Sequence, residues 1–309
     1  MTGPNIITND TVGDRLTWAG VTEAIAAGHR LPKAQIGDQF LHRAPDTMLS
    51  RAAWIDGLGF GVKSVSVMPA NPALGRPTVH GVMVVFDDST GEVAAVIDSG
   101  LLTAWKTAGD SAFGARTLAR PDAAHYLIIG AGVVAETLVR AFSAIIGSLT
   151  TIEIWNRTPE TASALAAKLA AEDYPVSATP DLPAACARAD IISTATLTQT
   201  PILKGAWVRP GTHVDLIGAF KPDMREADDA LLQKAHLFVD SKDTTLGHIG
   251  ELMIPLATGA ITESDVLADY YDLAKGRPGR TSDDEITVLK NGGGAHLDLM
   301  TAHYILSAL

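Results

Sequence analysis

Over the first hundred residues, apolar and polar positions alternate with the period of two that a half-buried strand requires. From about residue 124, short continuous apolar runs alternate instead with stretches spaced for helices. The first pattern predicts strands at 5–7, 47–55, 59–68, 78–86 and 92–98, an extended segment at 33–43, and helices at 17–27 and 99–118. Asp56-Gly57 reads as a turn, and the polar run 87–91 closes an antiparallel hairpin. Within 59–68, Lys63 shares a face with Val65 and Val67. A lysine there either snorkels at a sheet edge or is held with a lowered pKa and serves as an acid or base. Lys106, in the middle of the helix 99–118, either reaches a substrate carboxylate or faces solvent.

The second pattern opens on AHYLIIGAGVVAETLVRAFSAIIGSLTTIEIWNRT, residues 124–158. It reads as strand, glycine turn, helix and strand. Gly130-Ala131-Gly132-Val133-Val134-Ala135 fits G-x-G-x-x-G/A: Gly130 makes the tight turn, Gly132 lets a pyrophosphate approach the backbone, and Ala135 lets helix and strand pack closely. The helix N-terminus then presents unpaired N–H groups to that pyrophosphate. A site for NAD carries Asp or Glu at the end of the second strand, whereas this chain has Asn156-Arg157-Thr158. A guanidinium and a hydroxyl suit a 2′-phosphate, which favours NADP(H) over NAD(H); the alternative is that Arg157 is a solvated loop residue.

Beyond this unit, helices at 159–172, 183–188 and 228–234 alternate with strands at 176–178, 190–196, 212–217 and 236–239. That alternation predicts an α/β fold with one doubly wound parallel sheet. Ligands of such sheets lie outside the C-terminal strand ends, which places Thr194, Ala195 and Thr196, and Gly218 with Phe220, near the cofactor. A helical portion around 261–273, a last strand at 284–289 and a helix at 296–309 follow. The last helix is expected to return to the first domain. The division is then residues 1–120 with 285–309, a discontinuous mixed α+β domain, and 121–284, the dinucleotide-binding domain.

Composition narrows the function. A formal net charge of −11 argues against nucleic-acid binding. The single cysteine, Cys186, permits no intrachain disulfide and suits a reducing cytoplasm. No signal peptide and no apolar run of membrane-spanning length is read, so no membrane partner is expected. His80, His213, His236, His248 and His296 are scattered without ligand spacing, so no metal is expected. His80 is kept as a candidate because it belongs to the same sheet as Lys63.

Several stretches together resemble the ornithine cyclodeaminase/mu-crystallin family. They are Gly61-Val62-Lys63 with Pro69-Ala70-Asn71-Pro72; Leu102-Thr103-Ala104-Trp105-Lys106-Thr107-Ala108; Ile129-Gly130-Ala131-Gly132; Trp155-Asn156-Arg157-Thr158; Gly211-Thr212-His213 with Gly218 through Glu226; and Asp284-Glu285-Ile286-Thr287. They run in the family's order over nearly the whole chain, and the WNRT and GAFKPDMRE stretches are most similar to the mu-crystallin branch. The resemblance implies a homodimer whose subunits pair a Rossmann domain with a mixed substrate-binding and dimerisation domain. It also implies a nicotinamide cofactor acting on an amino or imino acid.

The same resemblance assigns a functional role to Lys63. It puts a carboxylate-binding arginine where this chain has Lys106, a point charge that cannot form the bidentate fork. Arg51 lies near another such arginine, in an alignment that a one-residue shift would move to the other face. Cyclodeaminases and family alanine dehydrogenases carry an aspartate at the place of Phe220, and a phenyl ring activates neither water nor an amine.

The expectation is therefore NADPH-dependent reduction of a cyclic imino acid such as pyrroline-2-carboxylate or piperideine-2-carboxylate. Lys63 is the proton donor or iminium holder, Arg51 and Lys106 hold the carboxylate with His80 nearby, and Thr194, Gly218 and Phe220 wall the nicotinamide. The alternatives are an ornithine cyclodeaminase or alanine-type dehydrogenase using NAD, and a non-catalytic NADP(H)-binding protein.

Overall fold

The period-two region folds as a six-stranded sheet. Its strands are β1 (Asn5–Ile7), β2 (Gln35–Arg43), β3 (Asp46–Ile55), β4 (Gly59–Val67), β5 (Val79–Phe86) and β6 (Val93–Asp98), in the order β1-β6-β5-β4-β3-β2. All neighbours are antiparallel except β1 and β6. These coordinates are a computed structural model, which describes residues 5–309. The β5–β6 hairpin is shaped by Asp87, whose Oδ1 accepts from the N–H groups of Ser89 and Thr90 at 3.0 and 2.8 Å, and by Gly91 at φ +72°.

One face of the sheet is covered by the C-terminal helix Ala295–Ser307, which also packs on the helix Trp18–Gly28. The two helices approach closely because Gly20 and Gly28 lack side chains: a Cβ there would lie within 2.5 Å of Tyr304 and Met300. The Tyr304 hydroxyl accepts from the Thr17 N–H at 2.7 Å and donates to the Thr17 carbonyl at 3.1 Å. Both ends of the described chain thus build one unit, residues 5–109 with Gly293–Leu309.

The second unit, Asp110–Gly292, is an all-parallel sheet of β7 (His125–Ile129), β8 (Thr151–Trp155), β9 (Val176–Ala178), β10 (Ile191–Thr194), β11 (His213–Leu216), β12 (His236–Val239), β13 (Val266–Asp269) and β14 (Thr287–Lys290). Its order is β13-β12-β14-β11-β10-β7-β8-β9. The chain is therefore an α/β protein with a doubly wound Rossmann sheet and a second, mixed sheet. The central strands are buried on both faces, as the apolar run of β7 requires, and β10 and β11 also bury Ser193, His213 and Asp215. Leu127, Ile129, Ile192, Val214, Leu216, Val239 and Val288 lie in its main core.

Two expectations are corrected. The stretch 261–273 is not one helix but a 3₁₀ turn at Glu263–Asp265, β13, and a short helix Tyr270–Ala274. Pairing with β12, in the register Leu237 with Val266 and Phe238 with Ala268, overrides local helical propensity, and Asp269 caps the helix that follows. The boundaries also move, from 120 and 284 to 109 and 292. Thr287–Lys290 is hydrogen-bonded between β11 and β12, inside the parallel sheet. The second half of the helix Ser99–Leu118 belongs there too: Tyr270 donates to the Asp110 carbonyl at 3.1 Å, and Gly114 leaves room for Leu289.

Candidate active site

In the first unit, strand register gathers charge on the face under the C-terminal helix. Asp38 on β2, Arg51 on β3, Lys63 on β4 and Met83 on β5 are direct neighbours across the sheet. Lys63 is buried, and its Nζ donates to Asp298 Oδ1 at 2.7 Å, with Oδ2 also at 2.7 Å. Asp298 projects from the C-terminal helix and is fully buried. Burial pushes the Lys63 ammonium below its ordinary pKa. Asp298 opposes that shift, while Lys106 and then Arg51 add to it by repulsion. Arg51 donates from Nε and Nη2 to Asp38 Oδ2 at 3.0 and 2.8 Å, and from Nη1 to the Gly293 carbonyl at 2.8 Å.

Lys106 completes the cluster. It is 6% exposed, and a Cβ on Gly293 would lie 2.8 Å from its Nζ. No hydrogen bond or ion pair to that ammonium forms among the described residues. His296, also buried in this region, is pushed down to about 3 by burial, so it stays neutral and adds no charge. His80 is not part of the cluster. It pairs with Ser66, one position out of phase with the Lys63 row, so it lies on the opposite face of the sheet, and it is exposed.

In the second unit, the glycine turn has the geometry of a backbone cradle. Gly130, at φ +123°, donates its N–H to the Trp155 carbonyl at 2.8 Å, and a Cβ there would lie 2.6 Å from the Ala195 carbonyl oxygen. Gly132 is the N-cap of the helix Val133–Ile145 and supplies no capping side chain, while a Cβ on it would meet nothing within 4 Å. Ala131 and Val134 flank that opening, and Val133 is 79% exposed. The helix N-terminus thus faces open space with its first N–H groups available, and these residues fit a dinucleotide pyrophosphate.

At the end of β8, Asn156 Nδ2 donates to the Thr158 carbonyl at 3.1 Å and shapes the turn. Arg157 and Thr158 are exposed, and among the described residues no carboxylate pairs with Arg157. After β10, Thr194 is buried with no hydrogen-bond partner for its Oγ1 among the described residues, and Ala195 and Thr196 follow half-buried. After β11 come Gly218 and Phe220, whose ring is 58% exposed and lies under the Lys221 ammonium at 5.5 Å. Among the described residues, no three His, Cys, Asp or Glu side chains gather as metal ligands.

Sequence reasoning missed Asp38, Asp298 and Glu226. Asp298 carried a signal of the same kind as Lys63, a charge in an apolar helical stretch. Glu226 lay inside the GAFKPDMRE stretch without a role.

Residues 51–309 match the model of the ornithine cyclodeaminase/mu-crystallin family. The chain belongs to that family. A Delta(1)-pyrroline-2-carboxylate reductase of Paracoccus denitrificans is 55% identical over 305 residues, 98% of this chain and 96% of the relative. Among solved structures, the Thermococcus litoralis Delta(1)-pyrroline-2-carboxylate reductase in complex with NADH and L-proline is similar with a TM-score of 0.92 at 26% identity, covering 98% and 97% of the two chains. An archaeal alanine dehydrogenase dimer with bound NAD gives 0.91 at 27% identity, covering 99% and 95%.

The two glycines of this family member predict different lesions. Gly132→Ala introduces a methyl that clashes with nothing, so it should leave the melting temperature within about 2 °C while weakening dinucleotide binding at least about tenfold. Gly130→Ala, strained and in collision with Ala195, should destabilise the fold itself by about 1–3 kcal/mol. Thermal melts alongside cofactor titrations separate the two; a Gly132→Ala protein that binds cofactor normally would remove the cradle.

Proposed function

We propose that this chain reduces a cyclic imino acid of the pyrroline-2-carboxylate or piperideine-2-carboxylate type, using a nicotinamide dinucleotide, with NADPH preferred to NADH. It is an oxidoreductase acting on a carbon–nitrogen bond. The observation that carries this reading is the gathering of three cations, with Lys106, a buried residue without a hydrogen bond or ion pair among the described residues, beside Lys63 and Arg51. Cations held together repel one another, and a substrate carboxylate offsets that repulsion. The named activity of the Paracoccus and Thermococcus relatives supports the same substrate class.

In this mechanism Lys106 meets the carboxylate as a point charge, and Arg51, held flat by Asp38 and the Gly293 carbonyl, lies alongside. Lys63 stands ready to protonate the imine nitrogen. Its lowered pKa makes it a better acid near neutrality, and Asp298 fixes the position of Nζ. Gly130, Ala131, Gly132, Val133 and Val134 would hold the pyrophosphate, and Thr194–Thr196 with Gly218 and Phe220 would wall the ring. A reduced nicotinamide bound there would supply the hydride for the imine carbon, with the proton for the nitrogen coming from Lys63, so that C=N would become CH–NH. Phe220 offers no group to activate water, which disfavours cyclodeamination. Arg157 and Thr158, exposed where an NAD site would carry an acid, support the preference for a 2′-phosphate.

The working protein is a homodimer in this reading. The second face of the six-stranded sheet carries Trp54, Phe60 and Phe86 in a stacked row with centroids 4.4 and 5.1 Å apart, with Met48 and Val82 further along the same face. Trp54, Met48 and Val82 are 47%, 47% and 39% exposed, an apolar surface that a second copy would cover. Light scattering should give twice the chain mass of 32.4 kDa, and Val82→Asp should shift the protein towards monomer. A wild-type monomer at micromolar concentration contradicts the dimer.

Oxidation of NADPH and of NADH, followed against five- and six-membered cyclic imino acids, open-chain keto acids with amines, and ornithine, tests the function. Turnover of a cyclic imino acid with kcat/KM at least about tenfold higher for NADPH is expected. Ammonia release from ornithine, or tight NADPH binding with no turnover on any imine, would overturn the reading.

A further inference from the structure

The loops that follow β10 and β11 leave the sheet at its C-terminal edge, and both are tied to one side chain. Glu226 is fully buried. Its Oε1 accepts from the Thr196 N–H at 2.8 Å and the Thr196 hydroxyl at 2.7 Å. Its Oε2 accepts from the N–H groups of Gly218 at 2.6 Å and Ala219 at 3.3 Å. Each oxygen of one carboxylate therefore holds one loop. We infer that Glu226 is the positioning residue for the nicotinamide end of the cofactor, clasping together the two loops that form the wall for the ring. This rests on the reading, made above, of Thr194–Thr196 and Gly218–Phe220 as that wall.

Three further observations point the same way. The loops are pressed too close for a side chain between them: a Cβ on Gly218 would lie 2.0 Å from the Thr196 carbonyl oxygen and 2.4 Å from its nitrogen. The clasp is itself held from behind, because Glu251, also fully buried, accepts the N–H groups of Glu226 and Ala227 at 2.7 and 2.9 Å. A counter-charge stands in the same interior: Lys290, buried on β14, donates to the carbonyl of Leu216, the last residue of β11, at 2.8 Å. A buried carboxylate with four donors and a nearby ammonium is a satisfied network, and such networks fix one geometry. Glu226 bonds to neither the Gly130–Val134 turn nor the Asn156–Thr158 loop, where the pyrophosphate and adenosine end would sit. Its effect should therefore be confined to the nicotinamide half.

Glu226→Gln tests this, because an amide nitrogen cannot accept and must face one pair of donors. Calorimetric titration of wild type and variant would use NADPH and 2′-phospho-ADP-ribose, which is NADPH without its nicotinamide, with NADH and ADP-ribose in parallel. The expected result is at least about tenfold weaker binding of the intact dinucleotide, with the fragment unchanged within about twofold. Equal weakening of both, or no change in either, overturns the assignment. Should the variant not fold, hydrogen exchange in cofactor-free wild type decides: slow exchange at Thr196, Gly218 and Ala219 is expected, and exchange at open-loop rates overturns the clasp. A wild type that binds neither ligand pair removes the cofactor reading itself, an outcome distinct from failure of the clasp.

Discussion

The ion pair between Lys63 and Asp298 joins residues 235 positions apart in the chain. An ammonium taken out of water on the inner face of a sheet is tolerated only with an anion in contact, and breaking such a buried pair costs about 3–5 kcal/mol. The pair therefore requires the C-terminal helix to return to the first sheet, and it makes the unit discontinuous. It also holds Nζ at a fixed point and opposes the fall in proton affinity that burial and two neighbouring cations impose on the same lysine.

The second unit is shaped at its C-terminal strand ends by backbone contacts. Its strands are short and buried on both faces, so the groups left open to solvent are those of the loops beyond their C-terminal ends. Glycine decides how near those loops can come: Gly130 against Ala195, Gly132 facing open space, Gly218 against Thr196. The polar interior beneath, with Glu226, Glu251 and Lys290, takes the place of the apolar packing that a loop cannot supply.

Much of this was legible in the residues, for local reasons. Alternation along 47–67 puts Lys63 on the covered face, and the glycine turn between an apolar run and a helix marks the cradle. What was not legible depends on partners distant in sequence. Val266–Asp269 becomes a strand only because β12 lies beside it, and Thr287–Lys290 belongs to the parallel sheet only because β11 and β12 leave a gap for it. His80 was placed near Lys63 by belonging to the same sheet, yet a shift of one position sends a side chain to the other face. Asp298 stood out as a charge in an apolar stretch, but its partner Lys63 and the partners of Glu226 are distant in sequence, so no local pattern announced the pairings.

The central claim is that the ammonium of Lys63 takes part in the reduction. Measuring kcat for pyrroline-2-carboxylate at saturating NADPH in Lys63→Met, with folding verified by melting temperature and cofactor affinity, tests it most directly. A loss of at least about a hundredfold with cofactor binding intact is the predicted result. A folded variant that retains more than about a third of wild-type kcat would contradict it.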